Sequence, residues 1–366
     1  MKKVLFFIHN LGPGGAEKVL VNLANYMDQS KFDVTVMTMF DEGVNRQFLK
    51  PHVHYRYVFK RMFRGNSHLL ALFPPKLVHR RFIKEKYDIE VAYLEGPSAR
   101  IISGCPDSDT KTVSWIHTQF SSKTRAVQGF RSMKDSTRCY SRFDKIIGVS
   151  KNVVDGMQSL YPHLKDVQVL YNTNETETIR EKAAEPVELV KGPVKLCTVG
   201  RLIPIKGFDR LLRIHNRLRS EHNIHTYILG VGAEKAALEK YVTENGLQDQ
   251  VTFPGYQTNP YKYVANCDLF VCSSHTEGFS TAATEALIVG TPVCTVEVSG
   301  MKEMLGEHNE YGIVTENDEE ALYQGIKKLL DNPDLLAHYK KQAALRGDDF
   351  STDNTVKAVE EMLLSL

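Results

Sequence analysis

Leu269-Phe270-Val271-Cys272-Ser273-Ser274-His275-Thr276-Glu277-Gly278-Phe279-Ser280-Thr281-Ala282-Ala283-Thr284-Glu285-Ala286-Leu287-Ile288-Val289-Gly290-Thr291-Pro292 reads as a strand, a loop and a helix. Leu269–Ser273 is an apolar run of strand length. The helix that opens after the loop should stop at Gly290, a residue suited to a left-handed cap, with Pro292 just beyond. The same unit recurs on either side. Strand candidates in the first half are Val4–Ile8, Val34–Thr38, Val53–Val58, Ile89–Leu94, Thr112–Ile116, Lys145–Val149 and Val167–Tyr171. In the second half they are Val194–Val199, Thr226–Leu229, Val251–Phe253, Leu269–Ser273, Pro292–Val296 and Gly312–Thr315. Amphipathic stretches fall between them. In Ala16–Met27, residues Val19, Leu20, Leu23 and Met27 share one face, and Phe208–Ser220, Ala233–Asn245 and Glu319–Leu330 behave alike. This alternation predicts an α/β protein whose parallel sheets are built from right-handed βαβ units.

A chain of 366 residues is sized for two such domains. Asn172–Lys191 is polar, acidic and aperiodic, so it is the expected linker between an N-terminal domain, 1–175, and a C-terminal domain, 176–366. The last helix is free to pack back on the first domain. Two doubly wound domains facing each other bind ligands at the carboxyl ends of their strands, hence in the cleft between them. No apolar run reaches the roughly 18 residues of a membrane span. Lys2 and Lys3 precede only the short run Val4–Ile8, which is no signal peptide. The six cysteines, Cys105, Cys139, Cys197, Cys267, Cys272 and Cys294, form no CxxC pair and have no histidine at zinc-finger spacing. A cytoplasmic protein with no structural disulfide and no metal site is expected.

The loop after Leu269–Ser273 carries the chemistry. Amides of Phe279, Ser280 and Thr281 at the start of a helix have no partner within it and suit an anion. Glu277 and Glu285, eight residues apart, would lie roughly 12 Å from each other if the interval were largely helical. A nucleotide-sugar can touch the whole segment, with sugar hydroxyls at Glu277, phosphates at the helix start and ribose hydroxyls at Glu285. A carboxylate accepts paired hydroxyls without needing a proton. A second segment, Gly200-Arg201-Leu202-Ile203-Pro204-Ile205-Lys206-Gly207, follows strand Val194–Val199. Arg201 offers a planar fork to phosphate oxygens and Lys206 a point charge. Together they suit the negative charge that builds as a nucleoside diphosphate departs.

These two segments resemble the retaining glycosyltransferases of family 4, which have the GT-B fold. The likeness rests on Gly200-Arg201-Leu202 with Lys206-Gly207, on Glu277-Gly278-Phe279 and Glu285, and on the opening Gly12-Pro13-Gly14-Gly15-Ala16-Glu17. It spans essentially the whole chain and points to enzymes of bacterial capsular and exopolysaccharide assembly. The resemblance implies two Rossmann-like domains facing a cleft. It further implies that Arg201 and Lys206 contact the donor diphosphate, Glu277 the transferred sugar and Glu285 the ribose. Members usually work without a metal or other cofactor. Ser280 departs from the pattern, since many members have glycine after the phenylalanine.

Further candidates gather around this core. Gly12–Gly15, with Gly14 and Gly15 at the start of a helix, forms a turn that lets backbone approach the diphosphate, but Glu17 stands where a dinucleotide fingerprint needs its third glycine. That weakens an oxidoreductase reading. His117 ends strand Thr112–Ile116, and family members have a histidine near the donor sugar there. Gly230-Val231-Gly232 and Gly255-Tyr256 end two strands of the second half; by resemblance such turns hold the nucleobase, with Gly232 and Tyr256 closest. Ordinary turn glycines remain the alternative for each.

Charge is uneven. Residues 1–175 carry 26 Lys and Arg against 16 Asp and Glu, although the whole chain is only +2. Within 54–86, Arg56, Lys60, Arg61, Arg64, Lys76, Arg80, Arg81, Lys84 and Lys86 face one acid, Glu85. Phe59, Met62, Phe63, Leu69, Leu70, Leu72, Phe73, Leu77 and Phe82 are interleaved with them. The mixture suits an anionic membrane surface, with a solvated basic face as the alternative. No nucleic-acid module accompanies it. The expected activity is transfer of a hexose or N-acetylhexosamine from a nucleotide-diphosphate sugar, a UDP-sugar first, to a hydroxyl of a lipid-linked cell-surface glycan. The enzyme would then sit in the cytoplasm, peripheral on the inner face of the membrane. Two rivals share the architecture: a nucleotide-sugar 2-epimerase, and a non-catalytic sugar-nucleotide binding protein.

Overall fold

The computed structural model describes residues 1–63, 65–120 and 122–366, and only the backbone of residues 66–68. Two compact units emerge: Met1–Asn174 together with Thr352–Leu366, and Glu175–Ser351.

The first unit holds β1 (Lys2–Ile8), β2 (Phe32–Phe40), β3 (His54–Phe59), β4 (Ile89–Ala92), β5 (Lys111–Ile116), β6 (Lys145–Gly148) and β7 (Val167–Val169). They form one sheet in the order β3-β2-β1-β4-β5-β6-β7, every pairing parallel. Val4–Ile8 of β1 is wholly buried, as a central parallel strand covered on both faces must be. The second unit holds β8 (Val194–Val199), β9 (Ile224–Leu229), β10 (Val251–Gly255), β11 (Leu269–Cys272), β12 (Val293–Val296) and β13 (Ile313–Thr315), in the order β10-β9-β8-β11-β12-β13. Here too every pairing is parallel. In each sheet the strand order turns back on itself once, between β1 and β4 and between β8 and β11. Those are the positions where connections diverge and leave a crevice beyond the strand ends.

The expected linker Asn172–Lys191 is not aperiodic throughout. Thr176–Ala183 is a helix, and its Ile179 is buried beside Tyr261 and Ile288. Arg180 Nε donates to the Ile288 carbonyl at 3.3 Å, fixing the same contact. The segment Thr352–Leu366, which falls in the range 176–366, belongs with the first unit. Its helix Thr352–Leu364 buries Val356, Val359, Met362 and Leu363. Glu360 Oε1 accepts from the Asp28 amide at 2.6 Å, and the Leu363 carbonyl accepts from Lys2 Nζ at 3.2 Å. All six cysteines are free and buried. No helix is long and apolar enough to cross a membrane, among the described residues.

Trp115 is the one tryptophan in the sequence and is buried in β5, so its fluorescence reports the first unit. Leu363→Ala should lower the urea midpoint of that signal by an amount equivalent to about 2–5 kcal/mol, the usual cost of emptying a leucine site. An unchanged midpoint would show that the last helix is not part of that core.

Candidate functional site

Of the residues singled out in the second unit, Lys206 and Glu277 meet where β8 and β11 end. Beyond β8, Pro204–Lys206 makes a short 3-10 turn, and Gly207 takes a left-handed conformation with φ 61° before the helix Phe208–Leu218 begins. A Cβ on Gly207 would stand 2.2 Å from the Ser273 carbonyl oxygen, so only glycine lets the two loops approach this closely. They are also stitched by hydrogen bonds. The His275 amide donates to the Ile205 carbonyl at 2.8 Å, and Ser273 Oγ donates to the Lys206 carbonyl at 3.0 Å. As a result Lys206 Nζ reaches Glu277 Oε1 at 2.6 Å, and Ser274 Oγ donates to the same oxygen at 2.6 Å. The pair is largely shielded, with side-chain exposures of 23% and 12%. Arg201, from the same loop as Lys206, is exposed and makes no side-chain hydrogen bond or ion pair among the described residues.

The helix after Glu277 starts later than the spacing argument assumed. It runs Thr281–Ile288, so Glu277, Gly278 and Phe279 lie in the loop before it. The interval to Glu285 is therefore only half helical, and the separation expected for a largely helical segment does not apply. Gly290, with φ 76°, follows its end as expected. Ser280 is the N-cap: its Oγ accepts from the Ala283 amide at 3.3 Å. A glycine there would lose that bond, so the departure from the family pattern stabilises the helix start. Phe279 is buried against Phe350, with ring centroids 5.9 Å apart. Glu285 is buried on the helix, where Tyr261 Oη donates to Oε1 at 3.4 Å.

The turns after β8, β9 and β10 run side by side. Gly200 N donates to Leu229 O at 3.0 Å, Leu202 N to Val231 O at 2.9 Å, and Gly230 N to Gly255 O at 2.9 Å. Gly232 is required here, because its Cβ would lie 2.2 Å from the Leu202 carbonyl oxygen. Val231 and Tyr256 stand half exposed beside them, at 50% and 57%.

In the first unit, Gly14 is the extended N-cap of the helix Gly15–Tyr26, and neither it nor Gly15 has a positive φ. No special backbone conformation therefore calls for glycine at either position. His117 follows β5; its amide donates to Glu95 Oε2 at 3.0 Å, and its ring lies 4.8 Å from that of Tyr93. The residue reaches the surface in part, but Nε2 is enclosed and has no hydrogen-bond partner among the described residues. Burial pushes the imidazole down to about 3, so it is neutral near pH 7.

Among the described residues, one group brings possible metal ligands together: His79, Glu90 and Cys105, with ligand atoms within 4.8 Å of one another. His79 Nε2 and Glu90 Oε2 are 2.6 Å apart, a hydrogen-bond length. Two ligands on one tetrahedral zinc ion would stand about 3.3 Å apart.

The sequence reading missed the residues that brace the loop. Arg210 donates to the Ser273 and Ser274 carbonyls at 2.6 and 2.8 Å and to Asn317 Oδ1 at 3.0 Å. Nothing in the local pattern distinguishes Arg210 from the solvated arginines of the same helix.

Comparison with known proteins places this geometry. The family model described as Glycosyltransferase Family 4 matches residues 13–177, and that described as Glycosyl transferases group 1 matches residues 179–346. The chain belongs to glycosyltransferase family 4. The enzyme is 29% identical, over 96% of each chain, to the N-acetylgalactosamine-N,N'-diacetylbacillosaminyl-diphospho-undecaprenol 4-alpha-N-acetylgalactosaminyltransferase of Campylobacter jejuni. Anabaena HepE, solved with UDP and glucose, superposes with a TM-score of 0.78 at 20% identity, covering 100% of both chains. Sucrose-phosphate synthase from Thermosynechococcus elongatus gives 0.78 at 16% identity, covering 100% of this chain and 99% of that one. The transferase has the GT-B fold.

The low basicity of His117 has a measurable sign. An unfolded chain takes up this proton below about 6.5, whereas the folded unit refuses it until about 3. Stability of the first unit should therefore fall as pH drops from 6.5 towards 3, by at most about 1.4 kcal/mol per pH unit from this group. Urea midpoints of Trp115 fluorescence at pH 7 and pH 5 should differ less in His117→Gln than in the wild type. Equal differences would mean that the ring protonates in the folded state.

Proposed function

We propose that this glycosyltransferase moves a hexose or N-acetylhexosamine, with retention of anomeric configuration, from a UDP-sugar to a hydroxyl of a growing, lipid-linked cell-surface glycan. The cluster of Lys206, Glu277 and Ser274 at the switch point of the second sheet carries this reading. A diphosphate entering beside the helix start draws Lys206 Nζ to its oxygens, and Arg201 joins from the same loop. Glu277 is released from its ion pair and accepts hydroxyls of the transferred sugar, while Glu285 takes the ribose. As the anomeric bond breaks, negative charge grows on the leaving phosphate oxygen, where two preorganised cations stabilise it. These protein cations do the work for which other transferases use a metal ion. The backbone of Gly278, Phe279, Ser280 and Thr281 borders the phosphates. The turns at Gly232 and Tyr256 are assigned to the nucleobase, Gly14 and Gly15 to close backbone approach, and His117 Nε2 to a sugar hydroxyl.

Support for UDP comes from the like-folded HepE, which was solved with UDP. Support for a lipid-linked acceptor comes from the Campylobacter relative, whose name specifies a diphospho-undecaprenol glycan, and from residues 54–86. In that stretch Lys60, Arg61, Lys76, Arg80, Arg81 and Lys84 are exposed. Met62, Leu72, Phe73 and Leu77 are exposed among them, Leu72 at 69%. Leu70, by contrast, faces the core, and Phe59 and Phe82 meet edge to face with centroids 5.4 Å apart. Arg64 lies outside the described residues. The loop is held firmly: Arg100 donates to the carbonyls of Leu70, Ala71 and Phe73, and Arg131 to those of Ala71 and Leu72. A fixed apolar knuckle rimmed by cations suits insertion below anionic headgroups, at about 1 kcal/mol for each basic residue near the surface.

Glu277→Ala should remove transfer, by on the order of 100-fold or more, while UDP affinity stays near that of the wild type. Arg201→Ala with Lys206→Ala should weaken UDP binding, and less than additively if both serve one diphosphate. A double variant that binds UDP normally in calorimetry would remove both residues from the site.

For the membrane face, Lys60, Arg61, Arg80 and Arg81 changed together to Gln should cut recovery with anionic liposomes in flotation at low salt. Transfer to a short soluble acceptor should survive. Equal flotation of variant and wild type would leave 54–86 as a solvated face.

A further inference from the structure

Arg210 is 3% exposed, yet no carboxylate hydrogen-bonds its guanidinium among the described residues. Asp209 and Glu319 bond Arg213 instead, at 2.9 and 2.8 Å. Asp209 and Glu319 act on Arg210 through space, but every side-chain hydrogen bond of the buried cation goes to a neutral oxygen, and an aliphatic side chain would avoid the cost of burying it. What the guanidinium does is specific. β11 ends at Cys272, so the following carbonyls leave the sheet ladder while still buried: Ser273 and Ser274 are 1% and 2% exposed. Buried carbonyls need donors. The planar fork of Arg210 supplies two of them, at 2.6 and 2.8 Å. Its third nitrogen orients Asn317, whose Nδ2 donates to the next carbonyl, that of His275, at 3.1 Å. Three successive carbonyls are thus held by one linked pair of side chains. The residues so fixed are those that carry Ser274 Oγ to Glu277, and Lys206 approaches Glu277 from the loop just before Arg210.

We propose that Arg210 and Asn317 form a positioning clamp that holds the Ser274–Glu277 loop in the shape needed to grip the transferred sugar. The clamp sets turnover and the sugar's share of donor affinity, and leaves UDP affinity alone. This inference rests on the reading that Glu277 meets the sugar. Neither residue touches the donor itself; both act through the backbone beneath Ser274 and Glu277. Release of even one carbonyl lets the loop turn, and a displacement of about 1 Å at a reacting group lowers a rate by on the order of 100-fold.

The test compares Arg210→Lys and Asn317→Ala with the wild type and with Glu277→Ala. Asn317 is exposed, so its substitution leaves the core intact even if Arg210→Lys folds poorly. Calorimetry gives the affinities for UDP and for the UDP-sugar with the highest turnover, and the UDP stoichiometry counts intact sites. Turnover per UDP-binding site should fall by about 10- to 100-fold in Arg210→Lys and by roughly threefold or more in Asn317→Ala. UDP affinity should stay within about twofold, while the affinity that the sugar adds should shrink. Normal turnover per site in both variants overturns the clamp. So does a proportional loss of UDP and UDP-sugar affinity, which marks a merely structural role. Glu277→Ala separates the two layers of inference. If it transfers normally, the sugar assignment fails; if it is inactive while both clamp variants are normal, only the clamp fails.

Discussion

The ion pair between Lys206 and Glu277 depends on two loops being pressed together, and most of the second unit is arranged to permit that. Parallel strands that neighbour each other across a switch point must end side by side, with their connections leaving in different directions. β8 and β11 are that pair. The crevice is then narrowed by glycine at 207, whose absent Cβ admits the Ser273 carbonyl, and by glycine at 232, whose absent Cβ admits Leu202. Backbone hydrogen bonds between the loops, and Arg210 beneath them, fix the approach to hydrogen-bonding precision. A charged pair so largely shielded would be unstable if its loops could separate, because either partner alone would be a partly buried, unpaired charge.

The first unit obeys the same topological rule with different chemistry. Its switch point lies between β1 and β4, and the end of β1 leads into a glycine turn and the start of the helix Gly15–Tyr26. The functional candidate beyond β5, His117, is a neutral imidazole. A charged group there would need partners that the Tyr93 and Trp115 rings do not offer. The positive charge of this unit is instead carried on the surface, across residues 54–86. Aromatic packing of Phe40, Phe59 and Phe63 ties the start of that stretch to the ends of β2 and β3. The basic face is therefore attached to the end of the sheet where the strands deliver His117.

Much of the architecture was legible because buried parallel strands are short, nearly continuous apolar runs, and every one of the thirteen expected strands overlaps an observed one. The two loops with their Arg, Lys and Glu were legible for a related reason: their polar residues interrupt strand and helix at positions where turn chemistry alone does not call for them. What stayed hidden depends on partners distant in sequence. The helix Thr176–Ala183 has Ile179 as its buried anchor in a polar segment, and the side chains that cover it, Tyr261 and Ile288, come from elsewhere in the chain. The helix Thr352–Leu364 is plainly amphipathic, but periodicity states that a face is buried and not which unit buries it. Arg210 is the clearest case. On a helix rich in arginine it reads as solvated, and its acceptors lie 63 and 64 residues further on.

On the proposed assignments, the pairing of Lys206 with Glu277 would let one site meet a dianionic diphosphate and an uncharged sugar in succession. With no donor bound, the two charges neutralise each other and neither needs bulk water to remain stable. In that reading a diphosphate would compete for the cation with more negative charge than the carboxylate offers and draw Lys206 towards it. Glu277 would then be left as an uncompensated carboxylate in a partly desolvated loop, which favours any ligand that presents hydroxyl donors at that spot. A nucleotide-sugar presents both groups on one molecule. Binding of its phosphate would create the demand that its sugar satisfies, whereas free UDP would meet only the first half. The carboxylate must remain aimed at the sugar after its partner has moved, and Lys206 can no longer hold it there. That task passes to the parts of the loop the diphosphate does not disturb: the Ser274 hydroxyl and the backbone whose carbonyls Arg210 and Asn317 hold.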